Sequence, residues 1–195
     1  MRRVVVTGMA GICGLGSNWT QVQAGIRAKR NAIRFMPEWE RHTDMNTRLG
    51  GPIDDFAPPA HWTRKQLRSM GRLAEFAVNA AELALTDAGL IDHPVVRSGA
   101  TGVACGSSIG SPPAVMDFAA FFINNDVSGL NANSYVRMMP HTTAANIGIF
   151  FGAKGRIIPT SSACTSGSQG IGYAYEAIKF GRYMEIGRAS SRERV

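Results

Sequence analysis

The sequence predicts a layered α/β fold with a mainly parallel sheet. Short β-branched or apolar runs alternate along the chain with longer segments of helical periodicity, and glycines and prolines separate the two kinds of segment. The composition suits a globular body with a sizeable core, since 45% of the 195 residues are hydrophobic and 18% are charged. No apolar run in the sequence is long enough to cross a bilayer.

The first elements are predicted to be a strand, a glycine loop and a helix. Residues 4–7 are β-branched and predict a strand, and the glycines that follow them predict a loop. Ser17 or Asn18 is expected to cap a helix that runs toward Lys29. Residues 34–62 are rich in proline, aromatic and charged residues without sustained periodicity, so we expect excursion loops on the surface rather than core.

The remainder of the chain repeats the alternation of helix and strand. Apolar and alanine positions from Leu73 to Leu85 recur at helical spacing, and Gly89 closes this helix. The predicted elements after residue 62 are helices at 69–90, from Pro112 or Pro113 onward, after His141 and at 167–180, strands at 101–105 and 156–161, and a polar loop at 124–133. This order favours a sheet whose strands are joined by crossover helices.

Charge and cysteine content exclude some functions and leave others open. Twenty-one Lys and Arg against 14 Asp and Glu give a formal charge of +7, which suits an acidic partner without distinguishing nucleic acid, anionic lipid and acidic protein. The three cysteines form no CxxC pair, which argues against a disulfide framework or a zinc site and favours a cytoplasmic location. The early glycines match neither the dinucleotide fingerprint nor a P-loop, and the apolar run after Arg3 is too short for a signal peptide.

Cys164 is the candidate nucleophile of the sequence. It lies among small residues between a predicted strand and a predicted helix, where a tight turn can expose a side chain. At a helix amino-terminus, unpaired backbone amides and the helix dipole stabilise a thiolate, and the same amides can hold a developing oxyanion. The alternative is that the cysteine is buried and acts as a small hydrophobic residue.

Six segments of the sequence match a known family: residues 161–167, 171–174 and 178–181 around Cys164, the predicted strand at 4–9, the helical run at 83–90 and the small-residue loop at 106–111. Together they resemble the β-ketoacyl-acyl carrier protein synthases, and the sequence around Cys164 is similar to the active-site segment of that family. The resemblance runs from residue 3 to about 184 and implies a thiolase-like layered fold, of which this chain is the amino-terminal half. Whole members have two similar α/β halves and are usually homodimers.

The resemblance also implies a decarboxylative Claisen condensation of fatty-acid synthesis. A cysteine, here Cys164, takes an acyl chain from the phosphopantetheine of acyl carrier protein, and malonyl-acyl carrier protein then decarboxylates and attacks to give 3-oxoacyl-acyl carrier protein. The backbone amide of Cys164 would belong to the oxyanion hole, and Ile109 would bound the acyl pocket. Lys65 and Arg68 lie where members place basic residues that receive the acidic carrier. No cofactor would be bound by the protein itself, and no nucleic acid or membrane.

Some parts of the family's machinery have no counterpart in this sequence. Members use two histidines in the second half, with a lysine between them, and a glycine- and phenylalanine-rich loop that completes the oxyanion hole, and none of these motifs occurs here. The four histidines match no family motif and are expected at surface or helix-cap positions: His42, His61, His93 and His141. We therefore expect residues 1–184 to be an incomplete synthase domain that does not complete condensation.

The last residues depart from the family pattern. Residues 185–195 show no β pattern where the family has an apolar central strand, and they resemble translated sequencing-adapter read-through, so we expect a non-native tail. A genuine basic terminus is the alternative.

Two other functional interpretations stay open. One is a non-catalytic partner subunit of a polyketide pair, which usually lacks the cysteine, and the other is a ketosynthase or thiolase domain of a larger synthase.

Overall fold

The structure is a computed structural model that describes residues 2–182 in full and the backbone of residues 185–190. Its helices and strands are α1 (Trp19–Arg27), β1 (Arg34–Phe35), β2 (Leu49–Gly50), α2 (Arg64–Leu67), α3 (Arg72–Asp87), β3 (Thr101–Gly106), α4 (Pro112–Asn124), α5 (Ala132–Met138), α6 (Thr142–Phe151), β4 (Ile157–Thr160), α7 (Ser166–Lys179) and β5 (Glu185–Ser190). Within these described residues, no helix has both the length and the apolar character needed to cross a membrane.

A parallel three-stranded sheet in the order β4-β3-β5 forms the centre of the fold. The central strand β3 is buried along its whole length. Val103 and Cys105 belong to the core cluster that α3 and α6 complete. Because side chains alternate across a strand, the next position, Gly106, faces the opposite side, where it meets the first residue of α7. Helices therefore cover both faces of β3, as the predicted α/β layering requires.

Local signals placed most helices correctly. The side chain of Asn18 accepts the backbone N–H of Gln21 at 3.0 Å and caps α1, as predicted. The predicted helix at 69–90 is α3, and Gly89 follows it with φ +68°, a conformation that glycine adopts without steric cost. The helices predicted near Pro112, after His141 and at 167–180 and the strands predicted at 101–105 and 156–161 are also confirmed.

The predicted strand at residues 4–7 is wrong, because this segment has no regular secondary structure. Val5 and Val6 are exposed. The backbone amides of residues on either side of the segment donate to helices instead of to a strand. The Arg2 amide donates to the Lys179 carbonyl at 3.1 Å, and the Met9 amide donates to Asp87 Oδ2 at 2.9 Å. A β-branched run becomes a strand only where a neighbouring strand supplies hydrogen bonds, and the described residues provide none for this run.

The segment at 34–62 is only partly the surface excursion that the sequence predicts. It does lack long elements, and its two short strands pair antiparallel. Three of its side chains are nevertheless buried: Met36, Phe56 and Trp62. Phe56 packs edge-on against Phe76 of α3 with ring centroids 4.7 Å apart, and Trp62 lies 4.9 Å from Phe150 of α6. The segment thus covers the outer side of these two helices and contributes to the core.

The structure places a strand after residue 184, where the sequence shows no β pattern. The backbone of β5 pairs in parallel with β3, from Thr101 opposite Glu185 to Gly106 opposite Ser190. A parallel ladder is made by backbone N–H and C=O groups, so this pairing does not require the apolar pattern that the sequence lacks here. Residues 191–195 lie outside the described residues. The non-native origin of residues 185–195 stays a prediction.

Candidate active site

Cys164 lies in an exposed turn between β4 and α7. The turn is closed by a hydrogen bond from the Thr165 amide to the Ser162 carbonyl at 3.0 Å. Between these residues, Ala163 adopts φ +47°, in the left-handed region that costs a residue with a side chain about 1–2 kcal/mol. A strained backbone of this kind persists only where the surroundings fix it, and such positions cluster at functional sites.

Ser166, the first residue of α7, bonds to two residues of this turn. Its hydroxyl donates to the Ala163 carbonyl at 2.7 Å and accepts the Ser162 amide at 2.7 Å. Its own carbonyl accepts the hydroxyl of Thr160, the last residue of β4, at 2.7 Å. A further bond joins the Ser162 hydroxyl to Gln169 Oε1, one turn into α7, at 2.7 Å. The turn is therefore held by side chains of the strand and helix that flank it.

The end of β3 lies directly against the start of α7. A Cβ on Gly106 would stand 2.3 Å from both the carbonyl carbon and the carbonyl oxygen of Ser166, so only glycine permits this approach. The Ser107 amide extends the ladder by donating to the Thr160 carbonyl at 3.0 Å. Because the carboxyl ends of parallel strands meet at one edge of a sheet, the loops after β3 and β4 share that edge.

The amino-terminus of α7 gives the cysteine an environment that favours negative charge. Cys164 lies two residues before the helix, Thr165 occupies the cap position, and the first turn contains no acidic residue. The helix dipole stabilises an anion here, and the amides of the turn can receive the oxyanion of a tetrahedral intermediate. Across the residues that the structure describes, no group of three or more His, Cys, Asp or Glu side chains could hold a metal ion.

Ile109 belongs to the loop between β3 and α4, at the same sheet edge as the cysteine. The hydroxyl of Ser107 donates to the Ile109 carbonyl at 2.8 Å, and Gly110 packs so closely on Met138 that a Cβ would lie 1.8 Å from its carbonyl oxygen. The backbone of this loop is thereby fixed, while the Ile109 side chain is 37% exposed. Neither Ile109 nor Cys164 lines the cavity that lies beside α2 and α3.

Lys65 and Arg68 lie on or next to the short helix α2, and both are exposed. A capping box fixes the start of α2, because the Thr63 hydroxyl accepts the Gln66 amide and the Gln66 side chain accepts the Thr63 amide. Arg68 also lines an open cavity of about 620 Å³ bordered by α2, α3, α4 and α5. The charged residues of its lining are Arg64, Arg68, Arg72, Glu75, Asp117 and Arg137.

The sequence did not predict that two further arginines lie near Arg68. Arg64 is its neighbour on α2, and Arg137 donates from Nη2 to the Arg68 carbonyl at 2.8 Å. Partial burial raises the pKa of the Glu75 carboxyl above its ordinary value, and the nearby charges of Arg72 and Arg137 offset part of that rise. Only the tertiary fold brings Arg137 here, since 69 residues separate it from Arg68.

The four histidines are all exposed, as predicted. His93 Nδ1 accepts the Val95 amide at 3.2 Å and so caps a short helical turn, while His61 Nε2 lies 2.7 Å from Glu82 Oε1. The hydrogen bonds recorded for the described residues link neither of them to the Cys164 turn. The candidate site therefore contains a cysteine, hydroxyls and backbone amides, without a neighbouring imidazole in that network.

Comparison with solved structures shows that this is the fold of the thiolase-like ketosynthases. The crystal structure of a β-ketoacyl synthase from Burkholderia phymatum STM815 matches with a TM-score of 0.88 and 50% identity, over 94% of this chain and 45% of that chain. A type II polyketide ketosynthase, bound to a hexaketide and in complex with its acyl-carrier protein, matches with a TM-score of 0.78 over 98% of this chain and 51% of that chain. Its 20% identity shows the fold alone.

Sequence comparison identifies the family. The model of the β-ketoacyl synthase N-terminal domain matches residues 1–184. The chain therefore belongs to the β-ketoacyl synthase family. Among curated relatives, 3-oxoacyl-[acyl-carrier-protein] synthase 2 of Synechocystis sp. is 29% identical over 180 residues, which cover 92% of this chain and 43% of the relative. The chain thus spans less than half the length of the curated relatives that it matches.

Proposed function

We propose that this chain supplies the acyl-accepting half of a β-ketoacyl-acyl carrier protein synthase, with Cys164 as the acyl acceptor. The observation that carries the proposal is the exposed cysteine in a strained turn, two residues before α7, in a member of this family. A nucleophile needs exposure and a fixed position, and the turn supplies both.

The proposed reaction begins with attack of the Cys164 sulfur on the carbonyl carbon of an acyl-phosphopantetheine thioester. The turn amides hold the oxyanion, the carbon–sulfur bond to phosphopantetheine breaks, and the departing thiol takes a proton, which leaves the acyl group on Cys164. Malonyl-acyl carrier protein then loses CO₂, and its carbanion attacks the Cys164 thioester to form a carbon–carbon bond and free the cysteine. We expect this chain alone to stop at the acylated cysteine, because the sequence lacks the family's histidine motifs.

Acyl carrier protein is the proposed partner, and Lys65 and Arg68 are its proposed docking residues. Both are exposed, and Arg64 and Arg137 add positive charge beside Arg68. Carrier proteins are acidic, so this surface offers complementary charge that would mainly raise the rate of encounter. The polyketide ketosynthase with the same fold was solved in complex with its acyl-carrier protein, which supports a partner of this kind.

A homodimer is proposed as the assembly of the complete protein. Among the large apolar side chains that helix α4 exposes, Met116, Phe122 and Ile123 are 67%, 75% and 78% exposed. An apolar face of this kind on a soluble domain marks a protein–protein interface. The occupant that we propose for it is a second copy of the protein, because the resemblance to the family implies a homodimer.

The pathway is proposed to be fatty-acid synthesis, with 3-oxoacyl-acyl carrier protein as the product. The named relative in Synechocystis sp. supports this choice, and the polyketide ketosynthase of the same fold supports a polyketide pathway as the second candidate. A non-catalytic partner subunit is less well supported, because such subunits usually lack the cysteine that this chain exposes.

Transfer of an acyl group from acylated carrier protein to this chain tests the proposal. We expect the acyl mass to appear on the peptide that contains Cys164, to disappear in Cys164→Ser and to remain in Cys13→Ser, which removes a cysteine outside the turn. Acylation that persists in Cys164→Ser would show that another residue accepts the acyl group.

A further inference from the structure

We propose that Ser166 is a positioning residue that holds Cys164 in its reactive geometry through the left-handed conformation of Ala163. The inference rests on the proposed role of Cys164 as the acyl acceptor. It concerns how the turn is maintained, because Ser166 itself does not carry the acyl group.

The hydroxyl of Ser166 bridges the chain on both sides of Ala163. It accepts the N–H of Ser162, the residue before, and donates to the carbonyl of Ala163 itself, each at 2.7 Å. One buried hydroxyl therefore satisfies a donor and an acceptor of the turn at once, and Ser166 is only 3% exposed. Removing it would take the Ser162 amide's bond to Ser166 away and leave the Ala163 carbonyl with the longer bond from the Ser166 amide at 3.2 Å.

The strand ends keep Ser166 itself in place. The Thr160 hydroxyl bonds to its carbonyl at 2.7 Å, and the absence of a side chain on Gly106 lets β3 lie directly against it. Since Ser166 is anchored from the sheet side, its hydroxyl can impose a conformation on the turn rather than follow it. The turn then carries the unfavourable φ of Ala163, which an unrestrained alanine would leave.

The consequence for Cys164 follows from its position directly after Ala163. If Ala163 relaxed to a negative φ, the chain direction at Cys164 would change, and the sulfur would leave its place before the first turn of α7. A cysteine displaced from the helix terminus loses the favourable interaction with the amides and dipole of α7.

The test compares the rates at which iodoacetamide alkylates each cysteine in the native chain, resolved by peptide mass. Ser166→Ala is expected to slow alkylation of Cys164 by roughly 5- to 30-fold, the population ratio that corresponds to the cost of a left-handed alanine. Ser168→Ala is the matched control, because Ser168 lies two residues later on α7 and is exposed, and we expect the wild-type rate from it. The buried Cys105 reports unfolding if it becomes reactive.

A second variant separates positioning from general stability. Adding Ala163→Gly to Ser166→Ala should restore part of the lost rate, because glycine adopts φ near +47° without the steric cost. No recovery, or a wild-type rate in Ser166→Ala, would overturn the inference. If Cys105 becomes reactive in Ser166→Ala, the double variant decides between the two explanations. A double variant with a protected Cys105 and a reactive Cys164 supports the inference, whereas unfolding of both variants contradicts it.

The proposed function fails on a different result. If Cys164 of the wild-type chain reacts no faster than Cys13, the cysteine is not an activated nucleophile, whatever the variants show. If Cys164 reacts quickly in the wild type and equally quickly in Ser166→Ala, the acyl acceptor stands and only the positioning role of Ser166 is lost.

Discussion

Replacing Gly106 by alanine should damage both the stability of the fold and the candidate site. The added Cβ would lie 2.3 Å from the carbonyl carbon and oxygen of Ser166 and 2.6 Å from the amide nitrogen of Gly167. Real Cβ contacts essentially never fall under 3.0 Å, so β3 and the first turn of α7 must separate by several tenths of an ångström. The opposing atoms are backbone at a strand–helix junction, which cannot rotate away as a flexible side chain could.

The expected cost is about 3 kcal/mol of unfolding free energy, at the upper end of the usual range for an overpacked core. Gly172→Ala is the matched control, because it lies on α7 with nothing within 4 Å of its added Cβ. Alanine is favoured over glycine inside a helix, so this control should gain about 0.5–1 kcal/mol.

Urea unfolding of the three proteins measures both changes as shifts of the midpoint with an unchanged slope. We also expect Gly106→Ala to slow iodoacetamide alkylation of Cys164, since α7 carries the turn, whereas Gly172→Ala should not. Equal stability of Gly106→Ala and Gly172→Ala would refute the claim that β3 and α7 meet at van der Waals distance at this glycine.

Three further predictions concern the surface and the partly buried carboxyl of Glu75. Reversing Lys65 and Arg68 to Glu in the complete enzyme should slow acyl transfer from acyl-carrier protein but leave transfer from a small acyl thioester nearly unchanged. The difference between the two donors should shrink as salt concentration rises. An equal loss of transfer with both donors would indicate a folding defect. Phe122→Glu should weaken self-association at least roughly tenfold in sedimentation experiments, whereas Ile33→Glu, at another exposed apolar position, should not. Burial raises the pKa of Glu75, so the native state binds this proton more tightly than the unfolded state, and stability is lost as pH rises from below 4.5 through the folded pKa. Glu75→Gln should therefore gain stability relative to wild type over that rise in pH. If the stabilities of the two proteins changed in parallel with pH, the assignment would be contradicted.

The elements that the sequence predicted correctly are those whose signals are local. Asn18 caps α1 and Gly89 ends α3 because a cap depends on the residue and its immediate neighbours. The alternation of strand and helix around Cys164 was also visible, because β-branched and small residues mark the strand and the turn within a dozen positions. The location of the cysteine in an exposed turn followed from the same pattern.

The elements that the sequence did not predict depend on distant partners. The run at 4–7 has β propensity, but propensity forms no strand without a neighbour, and β5 forms one by backbone pairing with β3 despite its unfavourable pattern. Trp62 is buried because its ring packs against Phe150 and its indole N–H donates to Glu82 Oε2. The polar residues beside Trp62 in the sequence do not predict this burial.

The strained backbone conformation of Ala163 could not be predicted from the sequence either. Alanine carries no preference for positive φ, so the conformation depends on hydrogen bonds that form only in the folded turn. The cluster around Arg68 has the same origin, since Arg137 reaches it from the end of α5.

The most direct test of the central claim is protection of Cys164 by an acyl group. The native chain is incubated with a small acyl thioester and then with iodoacetamide, and the modification of Cys13, Cys105 and Cys164 is read from peptide masses. We predict that Cys164 is the fastest of the three to alkylate without pretreatment and that the thioester blocks it while labelling of Cys13 is unchanged. Equal labelling of the three cysteines, or labelling of Cys164 that pretreatment leaves unchanged, would contradict its role as the acyl acceptor.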